Sequence, residues 1–172
     1  MNPLNGQTTT REAPVLSDGP LCIGALEIAR RYWLSPLAGY TNLAFRLAVR
    51  ELSGLGMATT DLVNARALLQ GGRKSMELVQ TCPADRPLAV QIYGAELEEM
   101  VAAAQWLESS GISAVDINMG CPVHKVVRGG GGSAMMCDRD STIDLVRSVV
   151  EAVRLLTRVT RIASRGDLGR RS

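Results

Sequence analysis

The chain repeats one pattern four times: a short apolar run, then apolar positions at the three-and-four spacing of a helix face. The first run, residues 33–39, leads into a helix predicted to be capped by Thr41, with Leu43, Leu47 and Ala48 on its apolar side. The second, 56–63, precedes a weaker helical stretch through Ala67, Leu68, Met76 and Val79. The third, 88–94, precedes a strongly periodic helix bearing Leu97, Met100, Val101, Ala104 and Leu107 and ending at Gly111. The fourth, 114–119, is followed by a glycine-rich loop and then a long helix. That helix is expected to open at Asp140 or Ser141 and to present Ile143, Val146, Val149, Val150 and Val153 on one stripe. A short earlier strand or hairpin fits residues 21–28.

Strand starts near 34, 57, 88 and 114 are 23 to 31 residues apart, the spacing of βα units on a parallel sheet. About four such units make the N-terminal half of a TIM (β/α)8 barrel, and the expected fold is an α/β half barrel, truncated. A small doubly wound sheet has the same periodicity. A fifth strand is due near Leu155. The stretch there, 156–163, is interrupted by Arg158 and Arg161 and runs into a polar tail, unlike the near-continuous apolar run of a strand buried on both faces. The expected division is therefore a disordered lead-in over 1–20, a partial barrel over 21–155 and an arginine-rich tail over 156–172.

Composition narrows the function classes. With 172 residues and 46% hydrophobic content, the chain has enough apolar material for one domain core. No apolar run approaches the ~18 residues of a membrane span, and no secretory leader is read at the N-terminus. The four cysteines (22, 82, 121 and 137) are scattered without a Cys-x-x-Cys pair, which predicts a reducing compartment, the cytoplasm, and no metal site. Net charge is +2, but residues 154–172 hold six arginines and one acid, leaving 13 basic against 16 acidic residues in the body. A mildly acidic body is no footprint for nucleic acid, whereas the tail would be one.

The segment Asn118-Met119-Gly120-Cys121-Pro122 stands where the fourth apolar run ends. Strand ends feeding loops are where α/β folds keep reactive groups, and Pro122 biases Cys121 towards an extended backbone, fixing the thiol's direction. The residue fits a proton donor or nucleophile, and equally a buried small hydrophobe. Gln91 is a polar side chain inside an apolar run, suited to a heterocycle edge or to a neighbouring backbone group. Asn118 presents donor and acceptor together, and Asp116 shares its side of the strand. The turn around Pro36, Leu37, Ala38 and Gly39 allows close approach of a ligand or caps a helix. Gly129 to Gly132 match a dinucleotide fingerprint only weakly, because some ten residues separate them from the strand, and a mobile loop admitting a bulky substrate is the preferred reading. Lys125 and Arg128 beside it suit phosphate contact or solvent. His124, the single histidine, lies three residues after Cys121 without an evident third group.

Taken together, residues 35–42, 59–65, 90–94 and 116–126 with 129–136 resemble the tRNA-dihydrouridine synthases, the bacterial B-type branch most of all. The resemblance runs from about residue 21 to 153. It implies a flavin-dependent barrel enzyme that reduces uridine in tRNA to 5,6-dihydrouridine. FMN would lie against Pro36, Leu37 and Ala38 and bond Gln91; NADPH would be the reductant. A uridine flipped from the tRNA would be held by Asn118 and protonated by Cys121, with Lys125 and Arg128 towards the substrate. The family's fifth strand carries a Val-Lys-x-Arg pattern absent here after Lys125, which implies a truncated and impaired copy, with self-association through exposed half-barrel edges. Two other readings stay open: another FMN barrel oxidoreductase acting on free pyrimidines, and a non-catalytic RNA-binding fragment.

Overall fold

A computed structural model describes residues 19–160. The expectations for the lead-in over residues 1–18 and the tail over 161–172 lie outside the described residues. The chain opens with an antiparallel hairpin of β1 (Leu21–Ile23) and β2 (Leu26–Ile28). There follow β3 (Tyr32–Leu34), α1 (Leu43–Glu51), β4 (Leu55–Thr59), β5 (Val63–Asn64), α2 (Ala65–Leu69) and α3 (Arg73–Leu78). The second half comprises β6 (Leu88–Tyr93), α4 (Leu97–Ser109), β7 (Ala114–Asn118), α5 (His124–Val127), α6 (Arg139–Ala152) and β8 (Leu156–Thr160). Strands β3-β4-β6-β7-β8 form one sheet in that order, every pairing parallel, with β5 added to β6. Sequential parallel strands with helices between them curl into half a barrel.

Each central strand is buried on both faces, for different reasons. Leu88, Val90 and Ile92 of β6 and Val115 and Ile117 of β7 point to the helical layer, where they meet Met100, Ala103, Ala104 and Leu107 of α4 and Leu145 and Val149 of α6. Removing such side chains from water stabilises by roughly 1.5–3 kcal/mol each. The other face is the barrel interior. Its lower level is apolar, with Met57, Ala89 and Ala114 packed on Ile28, Leu21, Ile23 and Leu26 of the hairpin, which plugs the N-terminal end of the strands. The expected early hairpin therefore forms the floor of the barrel.

Three local expectations differ. Helix α1 is capped by Asn42, whose Oδ1 accepts from the Phe45 N–H at 3.0 Å, while Thr41 is buried one residue earlier. Helix α6 is capped by Asp138, which takes both the backbone N–H and the hydroxyl of Ser141. Its buried row is Leu145 and Val149, facing α4, and Ile143 and Val150 of the expected stripe stay exposed. Helix α4 ends as expected, with Gly111 at φ +73°.

The larger difference is β8. Leu156–Thr160 pairs with all five residues of β7 despite Arg158. The near-continuous apolar pattern is required only of a strand buried on both faces. Among the described residues β8 is an edge strand with every position at least partly exposed, and the inward Arg158 lies over the Trp33 ring at 4.6 Å.

A buried ion-pair cluster ties α1 to the entry of β6. Arg46, fully buried, donates from Nε and Nη2 to Asp85 Oδ2 at 2.9 and 2.7 Å, and from Nη1 to the Thr41 carbonyl at 2.8 Å. Arg50 adds a bond to Asp85 Oδ1 at 3.2 Å and one to the Pro87 carbonyl at 2.7 Å. Both charges of the central pair are thus matched and hydrogen-bonded, the condition for burying them at all.

Candidate functional site at the carboxyl ends of the strands

The interior face changes character with height. The pairing register places Thr59, Ala89, Ala114 and Leu156 at one level, then Gln91, Asp116 and Arg158, then Asn118 and Thr160. Side chains alternate across a strand, so these residues share the interior face. The sequence is apolar below and polar above, at the strand ends where barrel enzymes place their chemistry.

The polar level is one connected relay. Asn118 Oδ1 accepts the backbone N–H groups of Cys121 at 3.0 Å and Gly120 at 3.3 Å. Backbone donors have fixed polarity, so the Asn118 amide nitrogen must face the other way, towards Gln91 Oε1 at 2.9 Å. Gln91 Nε2 is then directed at Asp116 Oδ2 at 2.8 Å, and Thr160 Oγ1 donates to both Asp116 oxygens at 2.9 and 2.8 Å. Gln91, Asp116 and Asn118 are 2%, 0% and 7% exposed, so these bonds replace water rather than compete with it. Each amide nitrogen keeps one N–H uncommitted within the relay.

Cys121 is held from both sides. Asn118 takes its N–H, and the Ser133 N–H donates to its carbonyl at 3.0 Å. Gly132, at φ +60°, lies so close that an added Cβ would sit 2.4 Å from the Cys121 carbonyl oxygen and 3.3 Å from its Cβ. Gly132–Cys137 forms a 3-10 turn that buttresses the Cys121 backbone, so the last of the four glycines is packed against the site. Glycine is needed there for contact as well as for conformation.

Ser35, Pro36, Gln91, Asn118, Gly120, Cys121, Arg158 and Thr160 line one cleft of about 280 Å3. The structure thus brings together Pro36, Gln91, Asn118 and Cys121 from three separate segments. Leu37 and Ala38 sit exposed on the loop after Pro36. Lys125 is exposed and lines a neighbouring cleft of about 300 Å3 with Asn64, Tyr93 and Gly129, while Arg128 is exposed on the turn after α5. His124 is exposed too. Asp116, Arg158 and Thr160 were missed as site residues. Two-residue alternation pointed to Asp116, but placing the other two required β8 to pair. A wider cleft of about 480 Å3 lies at the opposite strand ends beside the hairpin, lined by Ile23, Leu26, Val150 and Leu155 among others, and collects no comparable relay.

Comparison with known proteins decides which fold family this is. The family model described as dihydrouridine synthase matches residues 33–166, most of the chain and all of the cleft. The chain belongs to the dihydrouridine synthase family. It is 37% identical over 131 residues to tRNA-dihydrouridine synthase B of Xanthomonas campestris, covering 76% of this chain and 39% of that protein. It is 35% identical over 140 residues to probable tRNA-dihydrouridine synthase 1 of Synechocystis, covering 81% and 39%. A probable tRNA-dihydrouridine synthase of Rickettsia conorii is 35% identical over 134 residues, covering 77% and 40%. The chain thus spans about two fifths of the length of these relatives. The family match runs past residue 155 and includes β8, where the apolar pattern of the sequence breaks off. Among the described residues there is no cluster able to hold a metal ion and no helix long and apolar enough to cross a membrane. All four cysteines are free thiols.

Proposed function

We propose that the cleft is the site at which uridine in tRNA is reduced to 5,6-dihydrouridine, with Cys121 as the proton donor. The observation that carries the reading is the directed relay from the Cys121 backbone through Asn118 and Gln91 to Asp116. It supports a wall of uncommitted N–H donors beside a fixed thiol. Donors without acceptors suit the carbonyl edges of a flavin or a uracil ring.

FMN fits this donor set, with Gln91 and the backbone of Pro36, Leu37 and Ala38 as the residues that would hold it. When bound and reduced at the expense of NADPH, it supplies hydride to uracil C6. Asn118 orients the uracil through its free amide N–H. Hydride addition at C6 leaves an electron pair at C5, conjugated with the adjacent carbonyl. The Cys121 S–H proton is transferred to C5 and completes the saturated ring, leaving a thiolate that solvent reprotonates. Lys125, exposed in the neighbouring cleft, and Arg128, exposed on the turn after α5, suit contact with the tRNA backbone. One wall of a barrel around 280 Å3 encloses a flavin only partly, so weak retention of FMN and impaired turnover by this chain belong to the same proposal.

The experiment supplies the purified chain with saturating FMN, NADPH and unmodified tRNA, and scores dihydrouridine by mass spectrometry of the nucleosides. Slow product formation is expected, and Cys121→Ala should lower it by about 10²-fold or more. Wild-type turnover by Cys121→Ala would overturn the proton-donor role. Absence of product at saturating FMN would overturn catalysis by this chain, and a purified protein carrying stoichiometric flavin absorbance would overturn the weak retention.

A further inference from the structure

Arg158 is the one cation lining the cleft. It stands in register with Asp116, yet the Asp116 oxygens are taken by Gln91 and Thr160, and no ion pair to Arg158 forms among the described residues. Its guanidinium carbon instead lies over the Trp33 ring, 4.6 Å from the centroid, a cation–π contact that holds the group there. Its Nη1 is buried and has no hydrogen-bond partner among the described residues. A guanidinium nitrogen shut away from water without an acceptor is among the more costly things a fold can keep, and such groups call for an explanation.

Geometry narrows that explanation. Arg158 shares the cleft with the amides of Gln91 and Asn118, which present N–H groups of the same polarity. Gly120 and Cys121 add no side-chain acceptor oxygen, and Thr160 donates to Asp116. Nothing lining the cleft opposite Arg158 offers it a charge of opposite sign.

We infer that Arg158 is the anion-receiving residue of the cleft, binding the negatively charged edge of a planar heterocycle whose carbonyls are held by the neighbouring amides. This deepens the function proposed above and rests on it for the choice of ring. In that reaction negative charge builds up on the ring between hydride addition and proton transfer, and a fixed guanidinium beside Cys121 is placed to favour it. Trp33 is then a positioning residue acting through Arg158.

The test uses two rings that differ in charge, uracil and uracil-6-carboxylate. Trp106→Phe leaves Trp33 as the single tryptophan, so binding is read from its emission. The carboxylate is expected to bind about 10-fold more tightly than uracil, as a charge-assisted contact warrants. The preference should fall to within about two-fold in Arg158→Gln and Arg158→Met, and persist in part in Arg158→Lys, which keeps the charge and loses the fork. Far-UV circular dichroism checks each variant's fold. Equal affinity for the two rings in the wild type, no measurable binding of either, or an undiminished preference in a folded Arg158→Gln would overturn the inference. FMN is titrated separately by its own fluorescence. Charge preference without FMN binding would sink the flavin reading and leave Arg158 standing, and FMN binding without charge preference would do the reverse.

Discussion

Asp116 offers the sharpest test of the relay, because its two natural replacements should part company. Its carboxyl accepts one bond from Gln91 and a forked pair from the Thr160 hydroxyl, and it is fully buried. Asp116→Leu removes the acceptor and leaves one amide N–H and one hydroxyl unpartnered. At roughly 1–3 kcal/mol for each buried unsatisfied group, with no compensating packing gain in a polar level, the loss should be about 2–6 kcal/mol. That is a large part of the 5–15 kcal/mol typical of a domain. Asp116→Asn is different. Its oxygen can still accept from Gln91, and its amide can donate to Thr160, whose hydroxyl turns round to accept. The change also removes a carboxyl buried without an ion pair among the described residues, so its effect should stay within ~1 kcal/mol of wild type. Urea unfolding followed by far-UV circular dichroism, with the slope of the transition checked for constancy, measures both. If Asp116→Leu lies within ~1 kcal/mol of wild type, or if Asp116→Asn is as damaging as Asp116→Leu, the relay is not what holds this level together.

Gly132→Ala should cost roughly 1–2 kcal/mol for its positive φ and also push the Cys121 backbone aside, because its Cβ would meet the carbonyl oxygen at 2.4 Å. Thiol alkylation kinetics at Cys121, with Cys22, Cys82 and Cys137 replaced by serine, should change in that variant, and an unchanged rate would count against the buttress. Asn42→Ala removes the α1 cap and should lower stability by about 1 kcal/mol in the same urea assay, with no effect if the cap bond is not formed. Asp138 is held below the usual carboxylate range, first by the Ser141 hydroxyl and then by backbone N–H groups. Its folded value is the lower one, so its stabilisation is present above the unfolded value and is lost as pH falls through the folded one. Asp138→Asn should therefore lower the melting temperature near neutrality, with the difference shrinking below about pH 4, and a difference independent of pH would refute the assignment.

Much of this fold was legible because burial leaves a period in the chain. Val90 and Ile92, or Met100, Ala104 and Leu107, must each face a core, and the spacing of such residues identifies strand and helix without knowledge of what they touch. The site was legible where a residue broke the pattern it sat in: Gln91 inside an apolar strand, and Cys121 before a proline at a strand's end. The cap positions were less so, since Thr41 and Asn42, or Asp138, Asp140 and Ser141, are chemically similar candidates. Only the backbone decides which one has its oxygen over the first turn.

Sequence alone determined the order of the βα units, the apolar face of α4 and the family, because these depend on local period and on short motifs. Tertiary structure decided the rest. Whether Leu156–Thr160 is a strand depends on the free edge of β7, which no local property of that arginine-containing stretch encodes. Whether Asp116 serves the site depends on register, since one residue of slip would turn it to the helical layer. Whether Arg158 is paired depends on Gln91 and Thr160 reaching Asp116, a competition among side chains that are distant in sequence and adjacent in space. Periodicity is a property of neighbours along the chain, and chemistry in this cleft is a property of neighbours across it.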